Sequence, residues 1–385
     1  MPADASDPVA LARRLIACRS VTPADGGAMA LLAGVLQGLG FEVETMTFGP
    51  ADAPTPNLFA RVGHGAPHVC FAGHTDVVPP GAEGWTHDPF EAVIADEVLY
   101  GRGACDMKGA IASFVAAVAG FLRDGRPAGT ISLLITGDEE GPARFGTRAV
   151  VERLDKRGAL PDFCLVGEPT NPATLGETVK IGRRGSLNAT IEVRGVQGHV
   201  AYPDRADNPA HRLVRVLGAL LDERLDEGTE QFSPSSLQVT SIDIGNPTSN
   251  IIPARAGARL NIRFNDRHDG AALAAWLDEV VARHAPDALV ETDRSAEPFL
   301  SEPGPETASL IRAIRAETGR EAALDTGGGT SDARFLAPHC RVAEFGLVGA
   351  SMHQIDERVP VAELRALSRI YRRWLDDVMP TAGAA

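Results

Sequence analysis

The sequence is poor in several features that would point to a secreted, membrane-bound or nucleic-acid-binding protein. Its five cysteines (Cys18, Cys70, Cys105, Cys164 and Cys340) are odd in number and scattered, and no C-x-x-C pair occurs. That argues against a disulfide framework and a cysteine-built zinc knot, and the expectation is that most of the thiols are small buried hydrophobes. Long apolar runs are missing as well. The longest, Ile111 to Leu122, spans twelve residues, against the roughly 20 that a membrane helix needs. Met1 to Ser20 lacks the basic-then-apolar layout of a secretion signal, so the expectation is a cytoplasmic protein. Positive charge is in deficit: the formal net charge is −14. This argues against nucleic-acid or polybasic membrane partners, yet leaves room for a small acidic substrate held by a local arginine cluster.

What is present is the composition of an ordinary globular protein, long enough at 385 residues for two or three domains. Helical periodicity covers Ala10–Cys18 and Ala28–Leu39. Strand-like runs follow at Phe41–Phe48, Leu58–Val62 and Val69–Ala72. Ala110–Leu122 reads as a buried helix, and Thr130–Thr136 and Phe163–Val166 as continuous apolar strands. Strands alternating with helices predict an α/β fold, a mixed sheet sandwiched by helices, with ligands at the carboxyl ends of its strands. The middle of the chain changes character. Ser186–Val193, Asn208–Leu225, Leu237–Ile244, Arg255–Phe264, Ala271–Arg283 and Leu289–Thr292 give a β-α-β-β-α-β order, which predicts an inserted ferredoxin-like α+β module. A helix at Glu306–Glu317, a strand at Arg341–Phe345 and a helix at Val361–Met379 return to the first domain. The division expected is residues 1–184 with 298–385 for the first domain and 185–297 for the insert.

Five polar clusters follow apolar strands or precede the buried helix. Gly73-His74-Thr75-Asp76 places an imidazole two residues from a carboxylate that could orient it. Asp106 lies in the loop Gly101–Gly109, where taken alone it reads first as a capping carboxylate for the next helix. Asp138-Glu139-Glu140 sets three carboxylates side by side, whose repulsion either water or a divalent cation would relieve; of two such glutamates, one can bind metal and the other shuttle protons. Gly167-Glu168 and Met352-His353 complete the set. His64, His87, His268 and His284 read as ordinary loop or helix-end residues. Two His, one Asp and two Glu could meet at one sheet edge. Five N/O ligands without thiolate suit two zinc ions, with cobalt or manganese as substitutes.

The runs GHTDVVP, GRGACDMKG, DEEG, GEPT and the late MH resemble the co-catalytic dinuclear zinc aminopeptidase and deacylase superfamily. The stretches Lys180–Ser186, Gly198–Pro203, Ser249–Pro253 and Thr326–Asp332 narrow the resemblance, which covers nearly the whole chain, to its succinyl-diaminopimelate desuccinylase family. That resemblance implies zinc-dependent hydrolysis of a succinyl amide in lysine and cell-wall precursor synthesis. It implies His74 and Glu168 on one zinc, Glu140 and His353 on the other, and Asp106 bridging. Asp76 would orient His74, Glu139 would be general base and then acid, and the Asp106–Met107 peptide would be cis. The inserted domain would form a homodimer and lend His199 to the partner's site as an oxyanion donor. Substrate contacts would come from Arg183, Ser186, Tyr202, Asn250, Arg263, Thr330 and Arg334. Read without the resemblance, His199 is a loop histidine, and Arg184 makes a surface salt bridge.

The chain departs from that family at Gly349, where relatives have Asn, and at Asp356-Glu357, where they have Asn-Glu; the loop Ala143–Gly146 is also unusual. The same zinc chemistry would serve an acetylornithine deacetylase, a dipeptidase or a broader N-acyl amino-acid amidohydrolase. A non-catalytic metal-binding scaffold would have no need of Glu139 beside Glu140.

Overall fold

A computed structural model describes residues 3–81 and 83–381. The chain divides into two units: Met1–Ile181 with Ser301–Asp325 and Ser331–Ala385, and Gly182–Leu300 with Thr326–Thr330.

The first unit is built on an eight-stranded sheet. Its order is Glu42–Phe48, Thr55–Gly63, Thr130–Thr136, His68–His74, Phe163–Val166, Arg341–Glu344, Thr178–Lys180 and Ala323–Asp325. The four central strands, Thr130–Thr136, His68–His74, Phe163–Val166 and Arg341–Glu344, run parallel, while the Glu42–Phe48 and Thr55–Gly63 hairpin is antiparallel. Thr130–Thr136 and Phe163–Val166 are buried throughout, as expected of continuous apolar strands covered on both faces. The helix Gly109–Asp124 has no polar face before Leu122, and every residue from Gly109 to Phe121 is buried. It packs against Val361–Val378 and Pro8–Ala17. By length and composition alone the segment Ala104–Asp124 could cross a membrane, but 94% of its apolar window is inside the protein. Under the sheet, Phe71 stacks on Phe114 with ring centres 4.3 Å apart, and both meet Tyr371 edge-on. The buried Tyr371 hydroxyl donates to the Phe345 carbonyl at 2.6 Å, so its polar end is satisfied.

The second unit is a four-stranded antiparallel sheet, ordered Ser236–Asp243, Arg255–Phe264, Gly185–Arg194 and Leu289–Ala296. Leu187, Ile191, Leu260 and Ile262 join Leu213, Leu217, Leu273 and Leu277 of the helices Pro209–Asp222 and Gly270–His284 in a separate core. This is the β-α-β-β-α-β order read from the sequence. Thr326–Thr330, which the sequence reading leaves with the first domain, clusters here: the Thr326 hydroxyl donates to the Gln231 carbonyl, and Arg183 binds the Gly327 and Gly329 carbonyls.

The strands Thr178–Lys180 and Ala323–Asp325, the last two of the sheet, and the helix Thr147–Asp155 are absent from the sequence reading. The two strands are three residues each, too short for a periodicity to register.

Gly346 shows how tightly the sheet edge is packed. A Cβ there would lie 2.3 Å from the Gly167 carbonyl oxygen and 2.5 Å from that of Glu168. Gly346→Ala is therefore expected to lower unfolding free energy by about 2–3 kcal/mol in urea denaturation. A loss below about 1 kcal/mol would show that the backbones can separate freely.

Candidate active site

The parallel strands deliver the chemistry to one edge. His74 is the last residue of His68–His74, Glu139 and Glu140 follow Thr130–Thr136, and Glu168 follows Phe163–Val166. His353 sits in the loop after Arg341–Glu344, at a left-handed φ of 61°. These are carboxyl ends of neighbouring strands, where open α/β sheets bind ligands. Asp106 arrives from a five-residue turn, Ala104–Lys108, ahead of the buried helix. The turn holds a cis Asp106–Met107 peptide. Asp106 does not cap the helix: the residue before it is Lys108, and no side chain caps that end.

The Asp106 carboxylate is shared. Its Oδ1 lies 3.1 Å from His74 Nε2 and its Oδ2 lies 3.2 Å from His353 Nε2. Glu168 Oε1 is 3.8 Å from the same His74 nitrogen, and Glu140 Oε1 is 3.0 Å from that of His353. Two ligand groups result, His74–Asp106–Glu168 and Asp106–Glu140–His353, each with its donor atoms within 4.8 Å of one another. His74 Nδ1 donates to the Asp76 backbone carbonyl at 2.9 Å, which leaves Nε2 facing the carboxylates.

Asp76 takes part differently from the expectation. Its carboxylate lies 3.8 Å from His74 Nδ1, so its carbonyl, not its side chain, orients the ring. The carboxylate instead accepts from the Thr22 hydroxyl at 2.7 Å and from the backbone N–H groups of Glu139 and Glu140 at 3.2 and 3.0 Å. It thereby fixes the turn that carries both glutamates. The three adjacent acids also separate. Asp138 turns back to accept from the N–H groups of Ala143, Arg144 and Phe145, which gives the unusual Ala143–Gly146 loop its anchor. Only Glu139 and Glu140 remain toward the site.

The electrostatics follow from this crowding. The Asp106 and then Glu140 hydrogen bonds raise His353 to about 10. Burial opposes a charge on His74, but Asp106 and Glu168 prevail and its pKa is well above the ordinary value. Asp106 is also opposed by burial, yet the two imidazoles hold it below the usual carboxylate range. Burial and then the Glu168 charge push the Glu139 carboxyl well up. A cluster that draws protons onto two imidazoles is one that a divalent cation would occupy in their place. Cys105 adds no thiolate, because its Sγ is directed at Glu357 and Ser351. The remaining N/O donor set fits zinc and its borderline neighbours.

The other expected residues fall into smaller groups. His199 pairs in a short strand with Ile251, beside Asn250, and its ring lies 5.6 Å from that of Tyr202. The Ala201 N–H donates to His199 Nδ1 at 3.1 Å, which makes Nε2 the protonated nitrogen of the neutral ring. Ser186 and Arg263 are direct cross-strand partners. Burial and then the charge of Arg184 lower the Arg263 pKa, so these two cations lie close together. Arg183 is buried against the segment that ends at Thr330. Arg334 donates to the Ser331 carbonyl and lies over the Phe335 ring. Gly349 stands against Pro169, where a Cβ would meet its carbonyl oxygen at 3.2 Å.

Two site residues had no role in the sequence reading. Thr22 gives no sequence signal, since its contact with Asp76 spans 54 residues. Asp332 closes the TGGGTSD run and is buried; burial raises its carboxyl against the pull of Arg334, and its charge adds to that around Glu139.

Comparisons with known proteins show the family. Residues 70–377 match the family described as Peptidase family M20/M25/M40. The chain is 63% identical over 371 residues to a protein of Gluconobacter oxydans (strain 621H) named succinyl-diaminopimelate desuccinylase, covering 96% of this chain and 97% of that one. A protein of the same name from Gluconacetobacter diazotrophicus is 62% identical, with 96% of each chain covered. The fold is also that of an M20 family metallo-carboxypeptidase, Sso-CP2 from Sulfolobus solfataricus, at a TM-score of 0.81 and 16% identity over 96% of this chain and 99% of that one. This chain belongs to the M20/M25/M40 family of metal-dependent peptidases and amidohydrolases.

Proposed function

We propose that this protein is a dinuclear zinc amidohydrolase that cleaves N-succinyl-L,L-2,6-diaminopimelate to succinate and L,L-diaminopimelate. The observation that carries the chemistry is a carboxylate, Asp106, facing one imidazole with each oxygen, beside a glutamate, Glu139, outside both ligand groups. The substrate reading is supported by relatives of that name at 62–63% identity over nearly full length. His74 and Glu168 would hold one cation, Glu140 and His353 the other, and Asp106 both. Zinc bound there supplies Lewis acidity for ionising water and polarising the amide carbonyl.

The chain's own residues do the rest. Asp76 holds the Glu139–Glu140 turn by two backbone N–H groups, so Glu139 is placed together with the ligand Glu140. Glu139 takes the proton of the attacking water and returns it to the departing amine nitrogen; burial and then the Glu168 charge raise its carboxyl, which favours its holding that proton between the two steps. His199, with Nδ1 occupied by Ala201, offers Nε2–H as a donor to the oxyanion. It would do so in the partner subunit of a homodimer. Arg183, Arg263, Arg334, Ser186, Tyr202, Asn250 and Thr330 are the proposed contacts to the substrate's carboxylates and polar groups, and the planar guanidinium fork suits that task. Five free cysteines are in keeping with a cytoplasmic setting.

The inserted unit carries the feature that supports the dimer. Val214 and Leu221, two turns apart on Pro209–Asp222, are 64% and 57% exposed, and Ile242 on the edge strand Ser236–Asp243 is 56% exposed. Large apolar side chains beside an open sheet edge are where a second copy would be buried. Sedimentation velocity is expected to give a dimer for the native chain and a monomer for V214E/L221E; an unchanged dimer would contradict the placement.

The direct test of function is zinc-dependent hydrolysis of N-succinyl-L,L-diaminopimelate and N-acetylornithine side by side. The succinyl substrate should be preferred, and Glu139→Ala should retain zinc while losing roughly a hundred- to ten-thousand-fold in turnover. Preference for the acetyl substrate would overturn the substrate assignment, and near-native turnover of the variant would overturn the role of Glu139.

A further inference from the structure

Glu357 is fully buried, with no exposed surface, and belongs to neither ligand group. Its carboxylate nonetheless accepts from five donors. Oε2 takes Arg102 Nη1 at 2.8 Å and the Gly103 N–H at 3.0 Å. Oε1 takes the Cys105 N–H at 3.0 Å, the Asp106 N–H at 3.2 Å and the Cys105 thiol at 3.3 Å. The backbone carbonyl of Glu357 accepts from Gly101 at 2.9 Å as well. One side chain therefore organises the whole turn from which Asp106 projects.

The same residue is tied to His353. Ser351 closes the loop by donating to the Arg358 carbonyl and accepting from its N–H, at 3.0 and 3.1 Å. His353 and Glu357 both lie within that closed loop. Asp106 and His353, 247 residues apart by number, are thus joined twice: through the ligand contact and through Glu357.

We propose that Glu357 is a positioning residue that fixes the Asp106 carboxylate relative to His353 and so sets the metal affinity of the centre. Carboxylate chemistry is required because both oxygens must accept. A glutamine would present an NH2 to N–H donors at one end in either orientation. The turn would then shift, and with it the oxygens that face the two imidazoles.

The test is zinc affinity of the full chain, measured by competition with a chromophoric chelator, for the native protein, Glu357→Gln and Glu357→Asp. Glu357→Gln should weaken zinc roughly ten- to a hundred-fold, the range found for groups that orient metal ligands, and alter the visible absorption of the cobalt-loaded protein. Glu357→Asp keeps the charge but is one methylene shorter, and should fall between. A purely structural glutamate would lower the unfolding midpoint of the metal-free chain and leave the folded chain's zinc constant unchanged. Should Glu357→Gln fail to fold, Glu357→Asp carries the test. Native zinc affinity in whichever variant folds overturns the proposal. The inference rests on the metal-centre part of the proposed function and not on its substrate; a native chain that binds no zinc would sink that reading instead.

Discussion

The two oxygens of Asp106 face two imidazoles from opposite ends of the chain, and much of the first unit serves to hold them there. A carboxylate at 5% exposure between two histidines is costly unless positive charge surrounds it. The two imidazoles supply that charge, and the fold brings them there by converging four strand ends and one turn on the same point. Around it, Thr22 and two backbone N–H groups fix Asp76, Asp76 fixes Glu139 and Glu140, and Glu357 fixes the Asp106 turn. The apolar body beneath keeps those elements rigid: Phe71, Phe114 and Tyr371 pack under the strands that end in His74 and Glu168.

The arrangement divides labour between neighbours in sequence. Of Asp138, Glu139 and Glu140, the first is spent on three backbone donors and organises its own loop. The third faces His353, and the second is left outside both ligand groups with a raised pKa. A strand end gives this separation because successive residues leave it in different directions, so adjacent acids need not share one environment. The inserted unit has a different design. Its core is independent, one sheet face is covered by two helices, and its polar residues form local groups such as His199 with Tyr202.

Much of this was legible in the sequence. Thr130–Thr136, Phe163–Val166 and Arg255–Phe264 begin and end where their apolar patterns do. The five candidate ligands each follow a strand or precede the buried helix, and they do come together. What periodicity could not reach was the detail set by long-range contacts. Asp106 read on its own as a helix cap, because a capping carboxylate and one that faces two imidazoles share the same local pattern. Asp76 acts on the ring through its carbonyl and on the glutamates through its carboxylate, a division made by backbone geometry that no residue spacing encodes. Glu357 stood out only as a departure at its neighbour Asp356, since its five donors lie some 250 positions away.

The central claim is that Asp106 joins two cation sites into one centre. Zinc content of the dialysed native chain and of Asp106→Asn, by elemental analysis, tests it most directly. An amide offers one oxygen where the carboxylate offers two, so it cannot face both imidazoles as an acceptor. About two zinc ions per native chain and a loss of at least one in the variant are the outcomes the account predicts. Native zinc content in a folded Asp106→Asn protein would contradict it.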